Sequence, residues 1–225
     1  MTSESPRQRI VDEALELLAE HGYEGMSLQQ VADRVGLHKS SLFHHFRSKD
    51  ELAHEVYRGL AERLLKRLDP ILSEDPPRFE SVLDALDASV DHFAAEPAAA
   101  RLLMRLMVTT RHTEPREGAP APADASPFES PPGEIGAVDR VLLLVGQWLA
   151  RARAAGVIRH VPVRHTVLNL MGLVLFYPGV VHHIPVAALR ADPRSPEMLA
   201  ARKRELRELL RRALARSEAE SELIG

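Results

Sequence analysis

Residues 27–49, SLQQVADRVGLHKSSLFHHFRSK, interleave capping signals with apolar anchors at helical spacing. Ser27 and Gln30 form a capping box: the hydroxyl accepts a first-turn backbone N–H, and the amide reaches back to the cap. Behind it Leu28, Val31, Ala32 and Val35 give one helix a buried face. Gly36 supplies the backbone freedom that ends this helix, and Leu37 can pack beneath the turn. A second short helix follows over about residues 39–46, with Leu42 and Phe46 on one side. Ser48-Lys49-Asp50-Glu51 is another capping box and opens a longer helix, expected to reach about Leu68. Two short helices joined by a tight turn, with a third directly behind, have the form of a helix-turn-helix, which lays one helix into the DNA major groove.

Working outward, Ser5-Pro6-Arg7-Gln8 combines a cap, proline at the first helical position and glutamine at the third. Ile10, Ala14, Leu17 and Leu18 continue as an apolar stripe, and Gly22 is placed to end that helix. Downstream, Asp69-Pro70 and Asp75-Pro76-Pro77 predict breaks. Helices are expected near 79–95, 98–111, 135–155, 163–183 and 197–217. Residues 113–133 carry Pro115, Pro120, Pro122, Pro127, Pro131 and Pro132 and read as a long mobile loop, either connector or lid. Tyr177-Pro178-Gly179 predicts a further break. The last helix sets Leu199, Leu206, Leu210 and Leu214 against a dense run of charge from Arg202 to Arg212, which reads as a solvated face. No strand pattern competes. The expected fold is all-α: a three-helix helix-turn-helix domain over 1–52 and a larger helical domain over 53–225.

Composition agrees. Of 225 residues 45% are hydrophobic but only 4% aromatic, so the core must be Leu, Val, Ala and Met, and Leu and Ala favour helix. The absence of cysteine excludes a disulfide scaffold and a thiolate metal site. The polar start MTSESPRQRI has no apolar signal segment. The longest apolar run, 167–181, is interrupted by Asn169 and Pro178 and is too short for a membrane span. A cytoplasmic protein with no membrane partner is expected. The net charge is −3, yet residues 34–49 hold Arg34, Lys39, Arg47 and Lys49 with no acid, a local +4. Such a local face suits phosphates even on an acidic chain.

On the second short helix, Lys39, Ser40 and His44 fall opposite Leu42 and Phe46, with Ser41 and Phe43 among them. Lysine can bond guanine or phosphate, and serine either base or backbone. Ser27 and Lys49 stand at helix N-termini, where free N–H groups favour anions. The competing reading is a helical trio that only packs, with a solvated basic face.

Residues 7–57 resemble the N-terminal domain of the TetR family of transcriptional regulators. The likeness rests on Ile10, Ala14, Leu18, Gly22-Tyr23, Ser27-Leu28-Gln29-Gln30-Val31-Ala32, Val35-Gly36-Leu37 and the unbroken run from Leu42 to Leu52. The resemblance implies a double-stranded DNA operator, a palindrome read by a homodimer, and half-sites about 34 Å or a multiple apart. It also implies dimerisation through 163–183 and 197–217, where Val167, Leu170, Met171, Val174 and Leu175 offer an apolar face. Repression is the family's usual mode, relieved by a small-molecule effector. Two positions depart from the family pattern. Phe43 stands where tyrosine is usual, so a phosphate-bonding hydroxyl is missing, and His38 replaces a Ser or Thr cap.

Candidate effector-lining residues are Leu86, Phe93, Met104, Met107, Trp148, Met171 and Phe176, which could equally be core. An effector there would be largely apolar. No cofactor is indicated. Enzyme motifs such as H-E-x-x-H, G-x-S-x-G or a P-loop are absent. The pairs His44-His45 and His182-His183 point about 100° apart on a helix and do not chelate together. A metal sensor built from His92, His160, His165, His182 and His183, a ligand-independent regulator, an activator and a non-specific DNA-coating protein are the remaining alternatives.

Overall fold

The structure is a computed structural model and describes residues 5–109, 137–181 and 192–216. The Pro-rich stretch 113–133 and the pair His182-His183 lie outside the described residues. Nine helices and no strand occur among the described residues. They are α1 (Pro6–Gly25), α2 (Leu28–Val35), α3 (Lys39–His45), α4 (Lys49–Leu72), α5 (Phe79–Ala95), α6 (Pro97–Thr109), α7 (Ala137–Ala154), α8 (Val163–Val180) and α9 (Pro196–Leu214). Two compact units result. One holds the described residues up to Ala61 with those of Ala98–Ala137; the other holds Glu62–Pro97 and the described residues from Val138 on. Residue 61 lies within α4, so the division falls along a helix.

The first unit is built on capping. The Ser5 hydroxyl accepts the Gln8 N–H, but the Gln8 amide turns to Asp12 at 2.9 Å, so only half of that box forms. At α2 the box is complete: Ser27 accepts the Gln30 N–H, and the Ser27 N–H donates to the Gln30 side chain at 2.8 Å. At α4 the Ser48 hydroxyl accepts the Glu51 N–H, while the Glu51 carboxylate takes the N–H of Arg47, one residue earlier than expected. Gly36 ends α2 with φ 70° and ψ 32°, and the Leu37 N–H closes back on the Ala32 carbonyl at 2.9 Å. Gly22 bends α1 with φ 73° and ψ −179°, leaving one further turn to Gly25. Helix α1 packs on α2, and α2 on α3. Ile10, Leu17, Leu18, Val31, Leu42, Phe46 and Leu52 are buried in this core.

Two expected breaks do not occur. Helix α4 passes Pro70 and ends at Leu72. The N–H that Pro70 lacks would have served Lys66, and both residues are exposed, so water can take the carbonyl. The Ser73 N–H then resumes the ladder on Asp69 at 2.9 Å. Helix α8 likewise runs through Pro178 to Val180. The chain does turn at 73–78, where proline was expected to stop it.

In the second unit α5 packs against both α8 and α9, and Leu83, Phe93, Leu175, Leu206 and Leu210 of these helices are buried. The charges of α9 are not all solvated. Lys203 pairs with Asp91, and Arg207 pairs with Asp87 at 2.7 Å and Asp84 at 3.3 Å. Both cations are half-buried between the helices, which a pattern of alternating charge could not reveal.

Candidate nucleic-acid interface

Helix α3 has two faces of opposite character. Leu42 and Phe46, the latter at its C-terminal cap, are fully buried. Lys39, Ser40, Phe43 and His44 are exposed, and Ser41 is half-buried at the edge. Phe43 is 42% exposed, a large ring left in solvent on a helix only seven residues long. The Lys39 ammonium lies 5.9 Å from the centre of that ring. His38 caps the helix without a side-chain hydrogen bond, as its type suggested; the first turn relies on the His38 carbonyl, which accepts from Ser41 and Leu42.

The foot of α3 is clamped. The Arg7 guanidinium sits 4.7 Å over the Phe46 ring and donates to Glu55 of α4 at 2.6 Å. That bond, helped by Arg58 and opposed by burial, holds the Glu55 carboxyl below its usual range. Nothing local announces this bridge, since Arg7 and Glu55 are 48 residues apart.

A second clamp orders Lys49. The bend at Gly22 places Tyr23 so that its hydroxyl donates to the Asp50 carboxylate. Burial, and then Asp50, push the Tyr23 hydroxyl up to about 12. The Lys49 ammonium lies 4.3 Å over the Tyr23 ring and donates to the Glu24 carbonyl at 3.5 Å. Ser27 is exposed beside this end of α1 in sequence, with its hydroxyl occupied as the α2 cap.

The local +4 is smaller in practice. Arg34 pairs with Glu20 at 2.8 Å and lies 3.8 Å from Glu13, so the turn-and-helix segment keeps the charges of Lys39, Arg47 and Lys49. None of these three has a carboxylate partner among the described residues.

The seven effector candidates are scattered. Leu86 and Phe93 lie on α5, Trp148 on α7, and Met171 and Phe176 on α8, all in the second unit, whereas Met104 belongs to α6 of the first. Met107 lies on α6, with its side chain outside the described residues. Leu86, Phe93 and Trp148 are buried; Met104 and Met171 are half-buried. A half-open cleft of about 470 Å³, mouth included, lies in the second unit with Phe93 in its wall. Phe176 points elsewhere and is 63% exposed.

The apolar face expected on α8 turns mostly inward: Leu175 is buried, and Val167, Leu170, Met171 and Val174 are half-buried. Its outward stripe is instead Leu168, Gly172 and Phe176, four apart, with Leu209 exposed on α9. His92 is buried, while His160 and His165 are exposed; among the described residues no group of three or more His, Asp or Glu could hold a metal. No helix among them is long and apolar enough to cross a membrane.

Residues 10–56 match the family model described as bacterial regulatory proteins, tetR family. The HTH-type transcriptional repressor KstR2 of Mycobacterium tuberculosis is 28% identical over 95 residues, which cover 41% of this chain and 48% of that protein. The chain thus spans about half the length of the curated relatives it matches. Among solved structures, the ketosteroid transcriptional regulator KstR2 of Mycobacterium tuberculosis superposes with a TM-score of 0.66 at 16% identity, over 96% of this chain and 98% of that one. FadR from Bacillus subtilis, solved in complex with stearoyl-CoA, gives 0.61 at 16% identity, over 90% and 96%. At these identities the superpositions show a shared all-helical fold.

Proposed function

We propose that this chain, which belongs to the TetR family of bacterial regulators, is a sequence-specific transcriptional repressor acting in the cytoplasm. The observation that carries the reading is the division of α3. Buried Leu42 and Phe46 hold it from beneath, and Lys39, Ser40, Phe43 and His44 stand in solvent above. That arrangement lets a helix enter the major groove while its anchors stay in the core. Lys39 and Ser40 are the base-reading candidates, with Ser41 and His44 beside them. Ser27 and Lys49, at the starts of α2 and α4, meet the phosphates on either side. Phe43 packs against the sugar-phosphate edge without a hydroxyl to bond it.

One such helix reads few base pairs, so the protein acts as a homodimer on a palindrome. The supporting feature is the Leu168, Gly172 and Phe176 stripe on α8 with Leu209 on α9. An added Cβ at Gly172 would meet nothing within 4 Å, so a second helix can approach closely there.

Repression is relieved by a small, largely apolar effector bound in the second unit. Support comes from the cleft walled by Phe93, and from the fold shared with regulators of ketosteroid and stearoyl-CoA description. The effector works by binding the DNA-free state more tightly than the DNA-bound one. The decisive experiment is selection of bound sequences from a random DNA pool. An enriched palindrome is expected; a pool that stays random would overturn specific recognition.

A further inference from the structure

We propose that the cleft formed by α5, α8 and the start of α9 binds a monocarboxylic acid with an apolar body, and that Arg202 is the counter-ion for its carboxylate. The inference rests on the effector reading of the second unit and gives that effector a chemical class and a place.

A ladder of ion pairs between α5 and α9 ends beside the cleft. Helix α5 presents Asp84, Asp87 and Asp91 at steps of three and four, one stripe of a helix. Helix α9 answers with Arg207 to the first two and Lys203 to the third. The next position on the α5 stripe is Ala94. It lines the cleft, and so does Arg202, which sits next to Lys203 on α9. Neither helix carries the ladder further: α5 has Ala94 one step beyond Asp91, α9 has Leu199 four residues before Lys203, and both line the cleft.

Arg202, one position before Lys203, lies off that stripe and outside the ladder. Its guanidinium lies 4.1 Å over the Tyr177 ring and donates to the Leu173 carbonyl at 2.6 Å. No carboxylate pairs with it among the described residues. Burial pulls its pKa down, a sign that the charge is poorly solvated. A guanidinium has five N–H donors in a planar fork, and the Leu173 carbonyl takes one. The ring and the carbonyl hold the fork in one orientation, which suits a carboxylate approaching from the cleft.

The remaining wall selects the body of the ligand. Val90, Phe93, Val174, Val181 and Leu199 are apolar, and among the described residues no acidic one lines the cleft. The second cation, Arg194, adds positive charge at the same wall. A neutral hydrocarbon would leave Arg202 desolvated and unpaired. One acidic head on an apolar body meets both the cation and the apolar wall.

The test is calorimetric titration of the full chain with octanoate, decanoate and dodecanoate, each against the matching 1-alkanol. The acid is expected to bind at least about tenfold tighter than the alcohol, as a charge-assisted hydrogen bond implies. Arg202→Gln should bring acid and alcohol within about twofold. Ala94→Asp should do the same by supplying a carboxylate internally, and it leaves Arg202 in place should the first variant fold poorly. No binding by any of the acids, equal binding of acid and alcohol, or a preference that survives in a folded variant would overturn the proposal. Operator binding, followed by fluorescence anisotropy, separates the two readings. A chain that binds its selected operator and ignores the acids refutes this site alone; a chain that takes the acid but selects no DNA refutes the regulator.

Discussion

Replacing Gly22 by alanine should lower stability by about 2 kcal/mol, and the figure follows from two features of the site. The backbone there has φ 73° and ψ −179°, a region open in practice to glycine alone. This Gly-only region lies at the upper end of such costs, so forcing an L-residue into it takes about 3 kcal/mol. The new Cβ would also lie 2.9 Å from Nε and 3.1 Å from Cζ of Arg105. That is the far end of an exposed side chain, which can withdraw at small cost. Against this, alanine restricts the unfolded chain and returns about 0.4–1 kcal/mol. Gly36→Ala is the internal control. Its φ of 70° and ψ of 32° lie in the ordinary left-handed region, and its Cβ would meet nothing within 4 Å. Its net cost should be about 1 kcal/mol. Thermal unfolding followed by helical ellipticity reads both, at about 3 °C per kcal/mol for a chain of this length. Falls of about 6 °C and about 3 °C are expected. If Gly22→Ala costs no more than Gly36→Ala, the bend is not the strained element described above.

Lys39→Ala should weaken operator binding about tenfold, and the slope of affinity against salt assigns the partner: a phosphate contact lowers it by about one, whereas a base contact relaxes specificity at one position. Phe43→Tyr should tighten operator binding about fivefold by giving a phosphate a hydroxyl to meet; unchanged affinity on the selected operator would remove Phe43 from the DNA edge. Phe176→Arg, on the exposed stripe of α8, should convert dimer to monomer in sedimentation, and an unchanged dimer would place the interface elsewhere. Burial lowers the His92 pKa below its ordinary 6.5, with the coulombic pull of Glu96 opposing. A depressed folded pKa means that stability is full above the ordinary value and falls as pH drops below it. His92→Phe should flatten the stability profile between about pH 7 and 5, measured by urea midpoints; an unaltered slope would assign it to other groups.

How legible each part was depended on the range of the interaction. Caps are local, so Ser27, Gly36 and Ser48 located the starts and turn of the first unit within a residue. The α3 face was legible for the same reason, since Leu42 and Phe46 fix its orientation within one turn. Pro70 was misjudged because the letter shows a missing donor and not the solvent that replaces it. Arg34 looked free because Glu20 is fourteen residues away, on another helix. The cleft was least legible. Its walls come from α5, α8 and α9, so helical spacing on any single segment could pick out Phe93 but not its opposite wall. Phe176, equally apolar in the sequence, points to solvent because α8 offers its other faces to the subunit.

The clamp on Lys49 has a consequence for how affinity is distributed. A lysine side chain freezing onto a phosphate gives up about 0.5–1.5 kcal/mol of rotamer freedom. Lys49 has already given up much of it, since Tyr23 and the Glu24 carbonyl fix its ammonium in the free protein. Lys39, 5.9 Å from the Phe43 ring, keeps more of that freedom in the free protein. In the proposed complex the two lysines would divide the labour thermodynamically. The ordered one would grip any duplex at little entropic cost, and the loose one would commit its entropy only where a matching sequence rewards it.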